Sequence, residues 1–275
     1  MAKWDPDQYL KYGDERGRPF VELISRIPHH SPKKVIDLGC GPGTTTSLLL
    51  DAWPEALVIG LDSSNEMIDR ARPLSVQGKL EFRVGDLSDL YWTADGPFDV
   101  VVSAATLHWV PGHLDLFPAI VDSLTDDGVF AFQVPANFDE PSHTLLYELC
   151  RSERWSALLG HLARPDPVLP PRVYLETLLT TGTSADVWST TYLHVLRGTD
   201  AVLEWVRGTA LRPFLTALEA DGPPGSVEEF EASYGAALRA AYPMDSNGQT
   251  IFPFRRTFAV ATRSAARSDP NTRPA

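Results

Sequence analysis

The sequence predicts an α/β fold: a seven-stranded, mostly parallel sheet with helices on both faces, elaborated by an α-helical cap built from C-terminal insertions. Three observations carry this expectation. Short apolar strands alternate with helical patterns from residue 33 to residue 134, as a parallel sheet covered on both faces requires. A glycine-rich turn, Asp37-Leu38-Gly39-Cys40-Gly41-Pro42-Gly43, closes the first strand, and acidic residues close the second and third. After Pro135 the alternation gives way to helices and prolines before strand-like patterns return late in the chain.

Apolar positions at helical spacing over 7–27 (Tyr9, Leu10, Phe20, Val21, Leu23, Ile24, Ile27), interrupted near Gly13 and Gly17 and stopped by Pro28, read as two short helices. Residues 1–30 would thus cover the ligand crevice. Strands at 33–38, 57–61, 80–84, 98–103 and 129–134 enclose helices at 47–52, 65–71 and 113–124, making 31–135 the ligand-binding core. Helices follow at 144–159 and 174–180, separated by a link containing Pro165, Pro167, Pro170 and Pro171. A strand at 186–195, helices at roughly 199–207, 211–219 and 227–241, and a final strand at 250–261 complete the pattern. Residues 136–263 then form the helical cap and the last two strands, and 264–275 reads as a polar, disordered tail.

Composition narrows the function. With 275 residues and 43% apolar content, the chain can bury a large core as one domain with an elaborated cap. A net charge of −12, with no block of basic residues to offset it, repels phosphate backbones and argues against nucleic acid. No apolar run is long enough to span a membrane, and neither a basic leader nor an apolar h-region opens the sequence, so a cytoplasmic address is expected. Cys40 lies in the glycine turn and Cys150 in an apolar helical stretch, which suggests neither a disulfide framework nor a metal site. Between Val84 and Leu149 there is no Lys or Arg, whereas Arg197, Arg207, Arg212, Arg239, Arg255 and Arg256 come late. An anionic substrate must therefore find its positive partners in the C-terminal part.

Gly39, Gly41 and Gly43 let the backbone approach a ligand closely. Their G-x-G-x-G spacing differs from the G-x-G-x-x-G that cradles a pyrophosphate, which disfavours a nicotinamide oxidoreductase and favours a cofactor without phosphate. Asp37 can then hold the amino group of a methionine moiety. Asp62, followed by Ser63 at the end of the second strand, can accept both hydroxyls of a ribose. Met67 can pack on an adenine face, and Asp86, followed by Leu87, can accept the adenine amino group. The strand that ends at Ala104 walls the side of the crevice where a methyl group would lie. Taken singly, each acid also suits a helix cap; three in order at three strand ends point to S-adenosylmethionine.

These residues resemble the class I methyltransferase pattern over about residues 33–135, which implies a Rossmann-like core and S-adenosylhomocysteine as product. A narrower similarity spans nearly the whole chain. Trp4, Tyr9-Leu10, Glu15-Arg16, Arg18-Pro19, Asp62-Ser63-Ser64, Met67-Ile68, Leu107-His108-Trp109, Trp205, Gly208, Leu211-Arg212-Pro213, Tyr242-Pro243, Asn247-Gly248-Gln249, Arg256 and Phe258 are similar to the trans-aconitate 2-methyltransferase family. That resemblance implies methylation of one carboxylate of a small polycarboxylic acid, giving a monomethyl ester. Members of the family carry Gln before the Trp, where this chain has His108. On this reading Arg212 and Arg256 clamp the carboxylates that are not methylated, His108 and Tyr242 donate hydrogen bonds, and Trp109 shields the methyl group. The same cofactor residues would equally serve a methyltransferase for another small acid, phenol or amine, or a protein that binds S-adenosylmethionine without turnover. Oligomeric state and the carboxyl that is methylated are left open by the sequence.

Overall fold

A computed structural model of the chain describes residues 13–163 and 167–264. The chain divides into two compact units. Among the described residues, a sheet unit comprises 17–134, 169–189 and 257–264, and a helical unit comprises 13–16, 135–163, 167–168 and 190–256.

In the sheet unit the chain runs through α1 (Gly13–Ser25), β1 (Lys34–Leu38), α2 (Leu48–Ala52), β2 (Leu57–Asp62), α3 (Asn65–Ala71), β3 (Leu80–Val84), β4 (Phe98–Ala104), α4 (Phe117–Asp122) and β5 (Leu124–Pro135). After a segment in the helical unit it returns in α7 (Pro171–Thr180), the start of β6 (Thr183–Arg197) and the end of β7 (Gln249–Arg263). The seven strands form one sheet in the order β3-β2-β1-β4-β5-β7-β6, and the β3-β2-β1-β4-β5 neighbours are parallel. This is the fold class expected from the sequence. Order reverses between β1 and β4, so the crevice of a doubly wound sheet falls at the carboxyl ends of those two strands. Val100, Val101, Val102 and the run Val129 to Val134 are buried on both faces, which explains why these strands read as continuous apolar runs.

Within the sheet unit, element boundaries depart from expectation in three places. The first of the two N-terminal helices lies outside the described residues, whereas Gly17 and Pro19 do not interrupt α1. A helical glycine costs about 1 kcal/mol against alanine. Burial of Phe20 and Leu23, at about 1.5–3 kcal/mol each, outweighs it, and Trp188 Nε1 donates to Glu22 at 3.4 Å. The helix expected over 113–124 starts as a 3₁₀ turn, His113–Leu116, before α4. Strand β5 begins at Leu124 because Phe98 pairs with Leu124 while Val100 pairs with Val129, so residues 125–128 bulge, with Asp127 at φ 65°.

The helical unit contains α5 (Pro141–Arg151), α6 (Ser156–Leu159), α8 (Ala201–Arg207), α9 (Arg212–Asp221) and α10 (Ser226–Ala241), together with parts of β6 and β7. The single helix expected over 144–159 is two, because Ser152 takes extended backbone at the end of α5 and its hydroxyl donates to Leu149 O. Trp155 can then enter the core, edge-on to Phe230 with centroids 5.3 Å apart. Trp155, Trp205, Leu211, Phe230, Tyr234 and Phe252 form the centre of this unit's own hydrophobic core.

Candidate active site

The strand order places Asp37 between Gly60 of β2 and Val102 of β4. That central position buries its carboxyl, which is 1% exposed. Oδ2 accepts the Thr46 hydroxyl at 2.6 Å, whereas Oδ1 is buried without a hydrogen-bond partner. Burial pushes its pKa up to about 7, the Thr46 bond opposing and the charge of Asp62 adding to the rise. Such an oxygen suits a cationic donor. Thr46 escaped the sequence reading, because a threonine between a glycine turn and a helix resembles an ordinary cap; only its distance to Asp37 shows its use.

Hydrogen bonds tie the glycine turn to its neighbours. Gly39 and Cys40 amides donate to Leu61 O at 2.7 and 3.0 Å, and the Gly41 amide donates to Asp62 Oδ2 at 2.9 Å. The Thr106 hydroxyl donates to Gly39 O at 3.1 Å, and the Ser103 hydroxyl to Leu38 O at 2.8 Å. All three glycines have positive φ, at 81°, 55° and 78°. A Cβ on Gly39 would lie 2.1 Å from Thr106, and one on Gly43 2.6 Å from Phe82. Gly41 differs: nothing lies within 4 Å of a Cβ there, so its bare backbone faces open space in which a ligand can approach.

Asp62 ends β2, and besides holding Gly41 it accepts the Ser64 amide on Oδ1 at 2.9 Å. Each of its oxygens keeps a further lone pair for a ligand hydroxyl. Ser63 is exposed beside it, and Met67 is buried, 7% exposed, in the first turn of α3. Asp86 caps the 3₁₀ turn Leu87–Asp89, accepting the Ser88 amide at 2.9 Å, while exposed to solvent. Leu87 is buried, and its carbonyl accepts Trp92 Nε1 at 2.9 Å. Ala104 ends β4, half-buried, and the chain turns sharply at Ala105, φ 54°. His108 and Trp109 follow in the turn Leu107–Trp109; His108 is buried, Trp109 is 38% exposed, and their ring centroids are 4.8 Å apart. All of these residues belong to the sheet unit. Cys40 is free and buried, and desolvation raises its thiol pKa, so it is inert packing in the turn.

Arg212, Tyr242 and Arg256 belong to the helical unit. Arg212 starts α9, with Glu219 3.6 Å away. Arg256 is buried, 6% exposed, its guanidinium 4.9 Å from the centroid of Phe254. The Tyr242 phenol oxygen accepts the Ser142 amide at 3.1 Å, and burial raises its pKa, so it keeps its proton. Arg207 pairs with Glu231, Arg239 with Asp200, and Arg255 with Asp139.

A buried acid with an unmet oxygen, an acid at the neighbouring strand end and an open glycine fit a ligand that carries an ammonium group and vicinal hydroxyls but no phosphate. The comparisons agree. Residues 35–128 match the family model of a methyltransferase domain. The chain is 52% identical to a trans-aconitate 2-methyltransferase of Streptomyces coelicolor, over 94% of this chain and 86% of that one. It is 49% identical to the Streptomyces avermitilis protein of the same name, over 96% and 98%. Among solved structures, YcgJ of Bacillus subtilis superposes with a TM-score of 0.58 at 16% identity, covering 90% of this chain and 99% of that one. The cyclase SpnF gives 0.54 at 15%, covering 90% and 81%, so the fold by itself does not fix the reaction. Near-full-length identity does what the fold cannot, and together with the cofactor chemistry of the β1 and β2 ends it makes this chain a member of the trans-aconitate 2-methyltransferase family of S-adenosylmethionine-dependent enzymes.

Proposed function

We propose that this chain methylates one carboxylate of a small polycarboxylic acid, trans-aconitate, forming its monomethyl ester and S-adenosylhomocysteine. The observation that carries the reading is identity of about half to relatives named for this substrate, extending through the helical unit as well as the cofactor half. With it go a small anion as partner, in place of nucleic acid or a membrane, and a cytoplasmic address. The charge of −12 agrees, and no helix among the described residues is long and apolar enough to cross a membrane.

When bound, S-adenosylmethionine supplies an electrophilic methyl group on a sulfonium. Asp37 would hold its ammonium, Asp62 its ribose hydroxyls and Asp86 its adenine amino group, with Ser63, Met67, Leu87 and Ala104 beside them. An accepting carboxylate is ionised at neutral pH, since its ordinary pKa is about 4, so no general base is needed. The protein's work is to orient the acid and exclude water. Arg212 and Arg256 would hold the spectator carboxylates, His108 and Tyr242 would donate hydrogen bonds, and Trp109 would cover the methyl group.

Purified protein incubated with labelled cofactor and a panel of polycarboxylates should give a monomethyl ester of trans-aconitate by mass spectrometry; no methylated acid from any member sinks the reading. His108→Gln should keep turnover within about tenfold, because a neutral donor suffices. A loss of about a thousandfold in kcat, with substrate binding intact, would make His108 a base and the mechanism wrong. Asp62→Ala should weaken cofactor binding by about 2–3 kcal/mol, roughly 30- to 150-fold, by removing a charged acceptor and the tie to Gly41. An unchanged dissociation constant by calorimetry removes Asp62 from the site.

A further inference from the structure

One polar side chain outside the cofactor half is buried with nothing to bond to. Asn137 is 0% exposed, and both its Oδ1 and its Nδ2 are buried without a hydrogen-bond partner. It follows β5 by two residues, in the helical unit.

Hydrogen bonds already hold the turn in which it lies. The Ala136 amide donates to Arg255 O at 2.8 Å, and Arg255 Nε donates back to Ala136 O at 2.8 Å. Arg255 also grips both oxygens of Asp139, at 2.6 and 2.7 Å. On the far side the Tyr242 phenol oxygen accepts the Ser142 amide, and the Tyr234 hydroxyl donates to Ser142 O. The Glu140 amide donates to Asn137 O at 3.2 Å, so the carbonyl at 137 has a partner as well. Desolvation drives the pKa of neighbouring His143 down to about 4, so at neutral pH it brings no charge. The turn is therefore ordered by its own bonds, and the Asn137 carboxamide contributes nothing to holding it.

A buried amide with all its bonding capacity unmet is costly, and its persistence calls for a partner, a role a bound ligand can fill. We propose that Asn137 is a substrate-binding residue that donates from its carboxamide N–H groups to a carboxylate of the acid. The inference rests on the polycarboxylate reading above. Methylation cancels the charge of the accepting carboxylate, so a cation bound to that group would favour the reactant over the transition state. A neutral donor lessens this penalty while still meeting the oxygen, and its N–H groups can also serve the ester carbonyl of the product.

Steady-state kinetics on Asn137→Ala, Asn137→Leu and Asn137→Asp test the proposal, with melting temperature and S-adenosylhomocysteine affinity measured alongside. The Ala and Leu variants should melt no lower than wild type, bind S-adenosylhomocysteine normally and show KM for trans-aconitate raised about tenfold or more. Asn137→Asp, equal in size but anionic, should be impaired beyond the Ala variant. Wild-type KM in the Ala and Leu variants overturns the proposal while leaving the polycarboxylate reading intact. So does an Asp variant no worse than Ala, or a fall in melting temperature that accounts for the loss of activity. A wild-type protein that methylates no polycarboxylate overturns both.

Discussion

At pH 8, Asp37→Asn is expected to weaken S-adenosylmethionine binding by roughly two to three orders of magnitude, yet leave the cofactor-free protein as stable as wild type or more so. The two halves of this expectation have one cause. A carboxyl on β1 buried between β2 and β4, held only by Thr46 on one oxygen, is an unfavourable place for a negative charge until a cation meets it. Its pKa of about 7 means that folded, cofactor-free protein retains a proton that the unfolded chain releases near pH 4. Stability of the cofactor-free form should therefore fall as pH rises from about 4 to about 7 and level off above, the sign expected when the folded state binds the extra proton. Binding of the ammonium needs the ionised form. Cofactor affinity should then climb with pH, by about tenfold per unit well below pH 7, and flatten above it. Calorimetry and melting curves across this range check both trends, and in Asp37→Asn the Asp37 share of each slope should vanish. An Asn variant that binds cofactor as wild type does would place the ammonium elsewhere.

The placement of the candidate cofactor residues was legible in the sequence because they lie in short segments at strand ends. Asp37, Gly39, Gly41, Gly43, Asp62 and Asp86 lie where alternation of strand and helix puts the crevice, and a parallel sheet leaves little freedom in that placement. What was illegible depends on contacts distant in sequence. Thr46 and Thr106 look like turn residues until the fold brings one to Asp37 and the other to Gly39. Asn137, beside Pro135 in a polar turn, reads as a loop asparagine, and only its complete burial sets it apart. Arg255 and Arg256 are neighbours of equal composition. Strand alternation sends the first to grip the 136–139 turn and the second onto Phe254. The continuation of α1 through Gly17 and Pro19 was hidden for the same reason, since local propensity opposes it and packing of Phe20 and Leu23 decides.

Arg256→Ala and Arg212→Ala are each expected to raise KM for trans-aconitate by at least about tenfold, with little change in cofactor affinity. The expectation starts from charge. Residues 85–149 contain no Lys or Arg, and a tricarboxylate stripped of water there must be offset by cations from elsewhere in the chain. Arg207, Arg239 and Arg255 answer carboxylates of the protein, at Glu231, Asp200 and Asp139. Arg212 stands 3.6 Å from a half-exposed Glu219, a pairing that solvent screens. Arg256 is buried against an aromatic face, where a guanidinium tolerates desolvation better than an ammonium would. Removing a bidentate partner from a desolvated acid costs about 2–5 kcal/mol, and the larger loss should fall on Arg256, the more buried of the two. Lys at either position should rescue only in part, because it restores the charge without the planar fork. Arg239→Ala, which removes an exposed pair with Asp200, should leave KM unchanged. Should both Ala variants keep wild-type kcat/KM for trans-aconitate, the anion must be held by other groups, and the charge argument for a polycarboxylate substrate would fail with them.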